Sequence, residues 1–240
     1  MNRRLVLAIA GLGLLLVLSG CFGLGGATSE ERLAEDADYD WDTDAAATFD
    51  LSSGSYTAVL ELEEVDELRV YQSTRYGTEH PVGVRAIQFR YENGTVVNSS
   101  EIGVRDTRNS VYVTPPEPNG TLAYTASKQS NEFRTPVLVE GDWKVILPED
   151  HRAGNIVLGT IRPGGSSSEM IDDRVHITWD ELSSGTVRVN HYLARDLYLF
   201  AGLVLSAVVA GAIGVGYVYR QIQSLRRQRA DLGLDFDADE

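Results

Sequence analysis

The stretch that decides the fold is VRAIQFRYENGTVV, residues 84–97. Its first half mixes apolar and polar residues in near alternation, which is the pattern of a strand with one buried face. Asn93-Gly94 follows, and both residues tolerate the positive φ that a two-residue hairpin turn requires. Val96 and Val97 then resume the apolar pattern. The stretch therefore predicts a β-hairpin.

The same pattern recurs on both sides of this hairpin, in short segments bounded by Gly, Pro, Asn or Asp. The predicted strands cover residues 56–62, 68–72, 84–91, 110–114, 121–125, 135–139, 143–147, 156–161, 175–179 and 186–192. No stretch of twelve or more residues in this region has a clear helical period. We therefore expect a mainly β domain over residues 48–196 that resembles an antiparallel β-sandwich. Two sub-domains split near residues 127–132 are the alternative.

The carboxy-terminal end of the chain carries an apolar run, residues 197–219, which holds 23 residues and no charge. As a helix this run reaches about 34 Å, enough to cross a hydrocarbon core of about 30 Å. Four arginines follow it and are predicted to lie at the membrane surface: Arg220, Arg226, Arg227 and Arg229. An excess of arginine marks the cytoplasmic side. We therefore expect one transmembrane helix at 197–219 and a cytoplasmic tail at 220–240.

The amino-terminal end carries a shorter apolar run, residues 5–18, preceded by Arg3 and Arg4. Its 14 residues are too few to span a bilayer, but they suit the central region of a signal peptide. Leu18-Ser19-Gly20-Cys21 ends the run and is similar to a lipobox, in which the cysteine is lipidated and becomes the first residue. We expect a signal peptide at 1–20 and lipidation at Cys21. Both twin-arginine and general secretory export fit the two arginines.

The segment between Cys21 and the first predicted strand is strongly acidic. Residues 36–44 place an acid at every second position. Such carboxylates suit a hard cation, but no register supplies the Gly at position 6 and the Glu at position 12 of an EF-hand loop. Residues 21–47 are therefore predicted to be a lipidated, solvated acidic tether without a metal site.

Net charge limits the classes of partner. The chain has 35 acidic and 21 basic residues, and its only lysines are Lys128 and Lys144. The acids lie mainly in the predicted extracellular part, which argues against nucleic acid as a partner. An excess of acids also suits an environment of molar salt. There the Debye length falls to about 3 Å, so closely spaced carboxylates repel one another little.

Motifs of catalysis are absent from the sequence: there is no His-Glu-x-x-His, Gly-x-Ser-x-Gly, P-loop or Cys-x-x-Cys. His176 and His191 would face each other if the last two strands formed a hairpin, but no third ligand stands at metal spacing. We therefore predict that the protein is not an enzyme and needs no cofactor. Three sequons, at Asn93, Asn98 and Asn119, fall in predicted turns and are candidate N-glycosylation sites.

The apolar carboxy-terminal run also carries small residues at four-residue spacing. They are Gly202, Ser206, Ala210 and Gly214. Such a stripe lets two helices approach closely, so a homodimer through this helix is a further prediction.

The features at both ends, together with the acidic, lysine-poor middle, resemble an uncharacterised group of haloarchaeal surface lipoproteins with a carboxy-terminal transmembrane helix. The resemblance implies no activity. We expect a single-pass protein of the cell membrane whose extracellular β domain is a binding or structural module for an envelope protein or glycan. A signalling or assembly subunit that acts through the arginine-rich cytoplasmic tail is the alternative.

Overall fold

The computed structural model describes residues 29–74, 77–128, 131–154 and 159–231. This part of the chain contains two helices, α1 (Glu30–Leu33) and α2 (Ala194–Asp231). Its strands are β1 (Ala47–Leu51), β2 (Ser55–Leu62), β3 (Leu68–Ser73), β4 (Glu79–Pro81), β5 (Val84–Arg90), β6 (Val96–Asn98), β7 (Gly103–Asp106), β8 (Val111–Thr114), β9 (Gly120–Ser127), β10 (Glu132–Pro136), β11 (Gly141–Ile146), β12 (His151–Arg152), β13 (Ile161–Arg162), β14 (Ser167–Ile171), β15 (Arg174–Leu182), β16 (Thr186–Asn190) and β17 (Tyr192–Leu193). The prediction of a mainly β protein with one carboxy-terminal apolar helix is confirmed.

The largest sheet has eight strands in the order β14-β15-β11-β1-β2-β9-β5-β6. Two smaller sheets have the strand orders β10-β16-β13 and β4-β3-β8-β7. The predicted hairpin at 84–97 is present as β5 and β6, with Gln88 opposite Asn98. Neighbouring strands of the large sheet are antiparallel, except that β1 pairs with β11 in parallel.

The core lies on the inner face of the large sheet. Phe49 of β1 stacks on Trp143 of β11, with 5.1 Å between ring centroids, and also contacts Phe133 of β10 at 5.1 Å. Tyr56 of β2 approaches Phe133 edge-on at 5.2 Å. Because Phe133 belongs to a smaller sheet, these rings join two layers of strands, as in a sandwich.

The described residues form two compact units, one ending at His191 and the other beginning at Tyr192. One hydrophobic core runs through the first unit, from Leu33 to Val189. The alternative of two sub-domains split near residues 127–132 is therefore wrong. Phe133 lies just beyond the proposed split and is buried against rings from β1 and β2.

Helix α2 is longer than the predicted 197–219. It begins at Ala194 and continues through Arg220 to Asp231, because residues 220–231 contain neither Gly nor Pro and are mostly strong helix formers. Its apolar side chains are exposed, Leu203 by 69% and Ile213 by 67%. The helix is long and apolar enough to cross a membrane.

The last two long strands do not form the hairpin that would have let His176 face His191. Strand β15 pairs with β11 and β14 in the large sheet, whereas β16 pairs with β10 and β13 in a smaller one. His176 and His191 therefore do not form a cross-strand pair. No group of three metal-ligating side chains was found among the described residues.

Candidate functional site

An extended segment at residues 35–46, which we call the strap, runs over the outer face of the large sheet. Its side chains alternate: Asp38, Asp40 and Asp42 are exposed, whereas Tyr39 is 5% exposed and Trp41 half-buried. Tyr39 and Trp41 pack with outward-facing Val59 of β2 and Ala123 of β9 in a second, small hydrophobic cluster. The description of this segment as a solvated tether is thus corrected, because its non-acidic positions bury apolar surface.

Hydrogen bonds fix the strap to the sheet at its centre. The Tyr39 hydroxyl lies 2.6 Å from the Ala86 carbonyl oxygen, to which it donates, and 2.9 Å from Thr125 Oγ1. Ala86 has a φ of 51°, at an irregularity in the pairing of β5 with β9, which turns its carbonyl out of the regular ladder. Burial raises the pKa of Tyr39, so the hydroxyl remains a donor at neutral pH. The amide of Gln88 donates to the Ala37 carbonyl at 2.8 Å.

Basic side chains of the sheet hold the acids of the strap. Arg90 donates to Asp42 at 3.1 Å and to the Trp41 carbonyl at 2.8 Å. Lys144 forms an ion pair with Asp44 and lowers the pKa of that carboxyl group through a hydrogen bond. One of the two lysines in the chain therefore links the strap to β11.

A cleft of about 660 Å³ lies beside the strap on the same outer face. We call it the strap cleft. Its lining is formed by the strap residues Asp38, Tyr39, Asp40 and Thr43, by the strand residues Thr48, Asp50, Thr57, Val59 and Ile146, by residues 51–53, and by Pro148, Glu149, His151 and Arg174. The strand register places Thr57 of β2 and Ile146 of β11 on either side of Asp50 of β1. A cleft of this volume is in the range of small-ligand sites.

The charge of the strap cleft is negative. Arg174 donates to both oxygens of Asp50 and, through Nε, to the Leu147 carbonyl at 2.9 Å. This pair is internally neutral. Asp38, Asp40 and Glu149 form no ion pair with a described residue.

One buried polar group in the strap cleft lacks a partner. Thr48 is 7% exposed, and its hydroxyl finds no hydrogen-bond partner among the described residues. Most buried hydroxyl groups are hydrogen-bonded, because an unpaired one costs free energy. The oxygen is itself buried, so a ligand in the cleft would not reach it unless the surrounding side chains moved.

A cluster of basic side chains adjoins the strap cleft through His151. The ring of His151 meets that of His191 edge-on, with 4.8 Å between centroids. His191 is 2% exposed, and its Nε2 lies 3.3 Å from the Nζ of buried Lys128. Burial lowers the pKa of His191 to about 4 and that of Lys128 to about 8. His191 is thus neutral at pH 7, and its Nε2 accepts from the lysine ammonium group.

The predicted sequons are all at the surface. Asn93, Asn98 and Asn119 are exposed, and each side-chain oxygen accepts a backbone N–H, from Thr95, Ser100 and Glu64 respectively. Asn119 also lines a second acidic cleft, of about 810 Å³, with Glu61, Glu63, Glu64 and Glu92. Glycosylation of the three sites stays a prediction.

The predicted membrane sites lie on helix α2 or outside the described residues. Gly202, Ser206, Ala210 and Gly214 are exposed, and the Ser206 hydroxyl donates to the Gly202 carbonyl at 2.8 Å. The homodimer through this stripe stays a prediction. Three of the arginines are exposed on the same helix: Arg220, Arg226 and Arg227. The signal peptide and Cys21 lie outside the described residues, as does the side chain of Arg229.

The sequence analysis did not predict the strap cleft, although the alternation of acidic and aromatic residues in the strap was a signal for it. Acids at every second position leave the other positions free to face a sheet, and these include Tyr39 and Trp41. Two aromatic residues at strand spacing indicate a buried face more strongly than the carboxylates indicate solvent.

Comparison with known proteins identifies the family. A family model described as a family of unknown function, DUF5803, matches residues 43–237. No curated protein matches the chain, and no solved structure matches it either. The matched residues begin within the strap and include the strands of the first unit and all of helix α2. The chain therefore belongs to the DUF5803 family of unknown function.

Proposed function

We propose that this protein is a non-enzymatic, membrane-anchored component of the cell envelope whose β domain binds another envelope component in the strap cleft. The observation that carries the proposal is a polar cleft built on a β domain in the same chain as a long helix with exposed apolar side chains. Buried apolar residues hold the strap in place, so the cleft is formed before any ligand arrives. A preformed site reduces the entropy cost of binding.

The proposed orientation has the β domain outside the cell and the carboxyl terminus in the cytoplasm. Arg220, Arg226 and Arg227 support it, because arginine concentrates on the cytoplasmic side of a transmembrane helix. We also propose that the protein is a haloarchaeal lipoprotein that carries a lipid on Cys21. Eight residues, 22–29, separate Cys21 from helix α1. At about 3.5 Å per residue they span at most roughly 28 Å, so a lipid would hold the strap near the membrane surface.

Single-cysteine labelling tests this orientation. The sequence has one cysteine, Cys21, and a thioether-linked lipid would leave it unreactive. We expect a membrane-impermeant maleimide to label Ser53→Cys in intact cells, and Ser224→Cys only after permeabilisation. The wild-type protein is the control and should stay unlabelled even when denatured. The reverse pattern at positions 53 and 224 would contradict the orientation, and labelling of the wild type would contradict lipidation.

Site-specific photo-crosslinking in cells tests the binding role of the cleft. Ser53 is exposed and lines the strap cleft, whereas Glu181 is exposed on β15 and does not line it. With a photo-reactive residue at position 53, we expect mass spectrometry to identify one discrete crosslinked envelope protein or glycan. The same residue at position 181 should give no such product. Equal products at both positions, or none at 53, would overturn the proposed function.

A further inference from the structure

Strand β14 is an unpaired edge of the large sheet. It lies at one end of the strand order, and β15 is its one neighbour among the described strands. All five of its residues, 167–171, are exposed. An edge strand presents backbone N–H and C=O groups to which another strand can bond. The free side of β14 is therefore a place where the sheet can be extended.

The hydrogen bonds of the neighbouring strands show which groups of β14 face outward. The Leu147 N–H donates to the carbonyl oxygen of Val175 in β15 at 2.9 Å, so the backbone of Val175 faces the β11 side. Met170 lies opposite Val175, and the backbone groups of opposite residues in an antiparallel pair either face each other or face apart. The N–H and C=O of Met170 therefore point away from β15. The same alternation turns the backbone groups of Ser168, opposite Ile177, to the free side.

Natural edge strands usually carry features that prevent further pairing, and β14 lacks several of them. Such features are a very short length, lysine, proline or a bulge. The sequence of β14, SSEMI, contains neither lysine nor proline, and its pairing with β15 is regular over all five residues. The strand at the other end of the sheet, β6, has only three residues. Of the two edges of this sheet, β14 is therefore the one suited to bind a strand.

An apolar side chain beside the free edge indicates the character of the strand that would bind. Met170 lies on the inner face of the sheet, because it is opposite Val175, which belongs to the core. Met170 is nevertheless 47% exposed. A strand added at the edge would place a side chain beside Met170 on this face and cover it. We therefore expect that side chain to be apolar.

The charge of Glu169 separates a foreign strand from a second copy of this chain. Two β14 strands that paired antiparallel with Ser168 opposite Met170 would place their two Glu169 residues directly opposite each other. Like charges in that position destabilise a sheet. Other antiparallel registers that align the outward groups would bring Ser166 or Asp172, which lie outside the strand, into the pairing. The edge therefore suits a strand of a different protein with a basic or neutral residue opposite Glu169.

We propose that the free edge of β14 binds an extended segment of another protein, which adds a strand to the large sheet. The bound strand would hydrogen-bond to the outward N–H and C=O groups of Ser168 and Met170. It would cover Met170 with an apolar side chain and place a basic or neutral residue opposite Glu169. No residue of β14 lines the strap cleft, so the inference does not depend on what that cleft binds.

Photo-crosslinking in intact cells from position 167 tests the proposal. Ser167 is exposed at one end of β14, so a photo-reactive residue there would lie beside the bound strand. We expect mass spectrometry to identify one segment of a different protein in the crosslinked product. Ser168→Pro should reduce this product by about ten-fold or more, because proline removes the outward N–H and leaves a carbonyl of the bound strand without a donor. The pairing of β14 with β15 does not use that N–H, so urea unfolding of Ser168→Pro should match the wild type.

The matched control is Val96→Pro in the opposite edge strand, β6. The Tyr91 N–H donates to the Thr95 carbonyl oxygen, so the N–H of the next residue, Val96, lies on the free side of β6. Val96→Pro should leave the product from position 167 unchanged. Met170→Lys is a second disruptive variant, which keeps every backbone N–H but places a charge where the bound strand is apolar. It should also reduce the product, and it decides the question if Ser168→Pro proves less stable than the wild type.

Several results would overturn the inference. They are the absence of a product from position 167, a product with a second copy or with another segment of this chain, and equal amounts of product in Ser168→Pro and Val96→Pro without loss in Met170→Lys. A product from position 167 without one from position 53 would support the inference while the binding role of the strap cleft fails. The reverse result would refute the inference and leave the proposed function standing.

Discussion

Replacing Tyr39 by alanine is expected to destabilise the β domain by about 3–5 kcal/mol and to release the strap. Tyr39 is 5% exposed, and its ring packs on Trp41 with 5.8 Å between centroids. Its hydroxyl bonds both Ala86 and Thr125. The variant loses the buried ring and leaves the Ala86 carbonyl without this donor. Urea unfolding of the full-length protein in micelles, followed by circular dichroism, measures the loss of stability.

Tyr39→Phe is the matched control because it keeps the ring and removes only the hydroxyl. We expect it to cost about 0.5–1.5 kcal/mol, the usual contribution of a hydrogen bond. Limited proteolysis should cut the strap readily in Tyr39→Ala and slowly in Tyr39→Phe. A Tyr39→Ala protein as stable and as protease-resistant as the wild type would show that the strap is not held by this residue.

Acidification from pH 6.5 to pH 4 is expected to remove up to about 3 kcal/mol of stability through His191 alone. In the unfolded chain a histidine binds its proton at about pH 6.5, whereas burial lowers the pKa of His191 to about 4 in the folded protein. Between these values the unfolded state binds more protons than the folded state. Stability therefore rises with pH through this window and is lost as the pH falls.

Comparison of two variants isolates this contribution. His191→Gln removes the titrating group while keeping an acceptor for Lys128. The difference in the free energy of unfolding between this variant and the wild type should therefore change across pH 4–6.5. His80→Gln replaces an exposed histidine in the same way and is the matched control. Urea unfolding at a series of pH values gives both comparisons. Identical pH profiles for His191→Gln and the wild type would refute the assigned cause.

Local pattern was sufficient to predict the β architecture and the apolar helix. The hairpin at 84–97 was found because alternation and Asn93-Gly94 agree on one local structure, and most long strands have similar local signals. Strand β1 was missed because its sequence, ATFDL, is short and follows directly on an acidic segment. Strand β1 is recognisable mainly from the strands that it pairs with, and β11 lies far away in the sequence.

The parts of the site that sequence reasoning missed are those formed by long-range packing. Asp50 and Arg174 meet across 124 residues, and Lys128 reaches His191 across 63. Neither spacing belongs to a known motif, so each residue by itself looks like an ordinary surface charge or histidine. A His176–His191 pair was considered because consecutive strands often pair, but here the chain crosses from the large sheet to a smaller one between β15 and β16.

The parallel pairing of β1 with β11 has a consequence for how the chain is made. Ala47 pairs with Trp143, so one side of a central strand waits for a segment roughly 100 residues later in synthesis. At about 5–20 residues per second the ribosome needs roughly 5–20 s to deliver it. During that interval the open edge of β1 can hydrogen-bond to the wrong strand. That edge of β1 is therefore closed only after β11 has been synthesised.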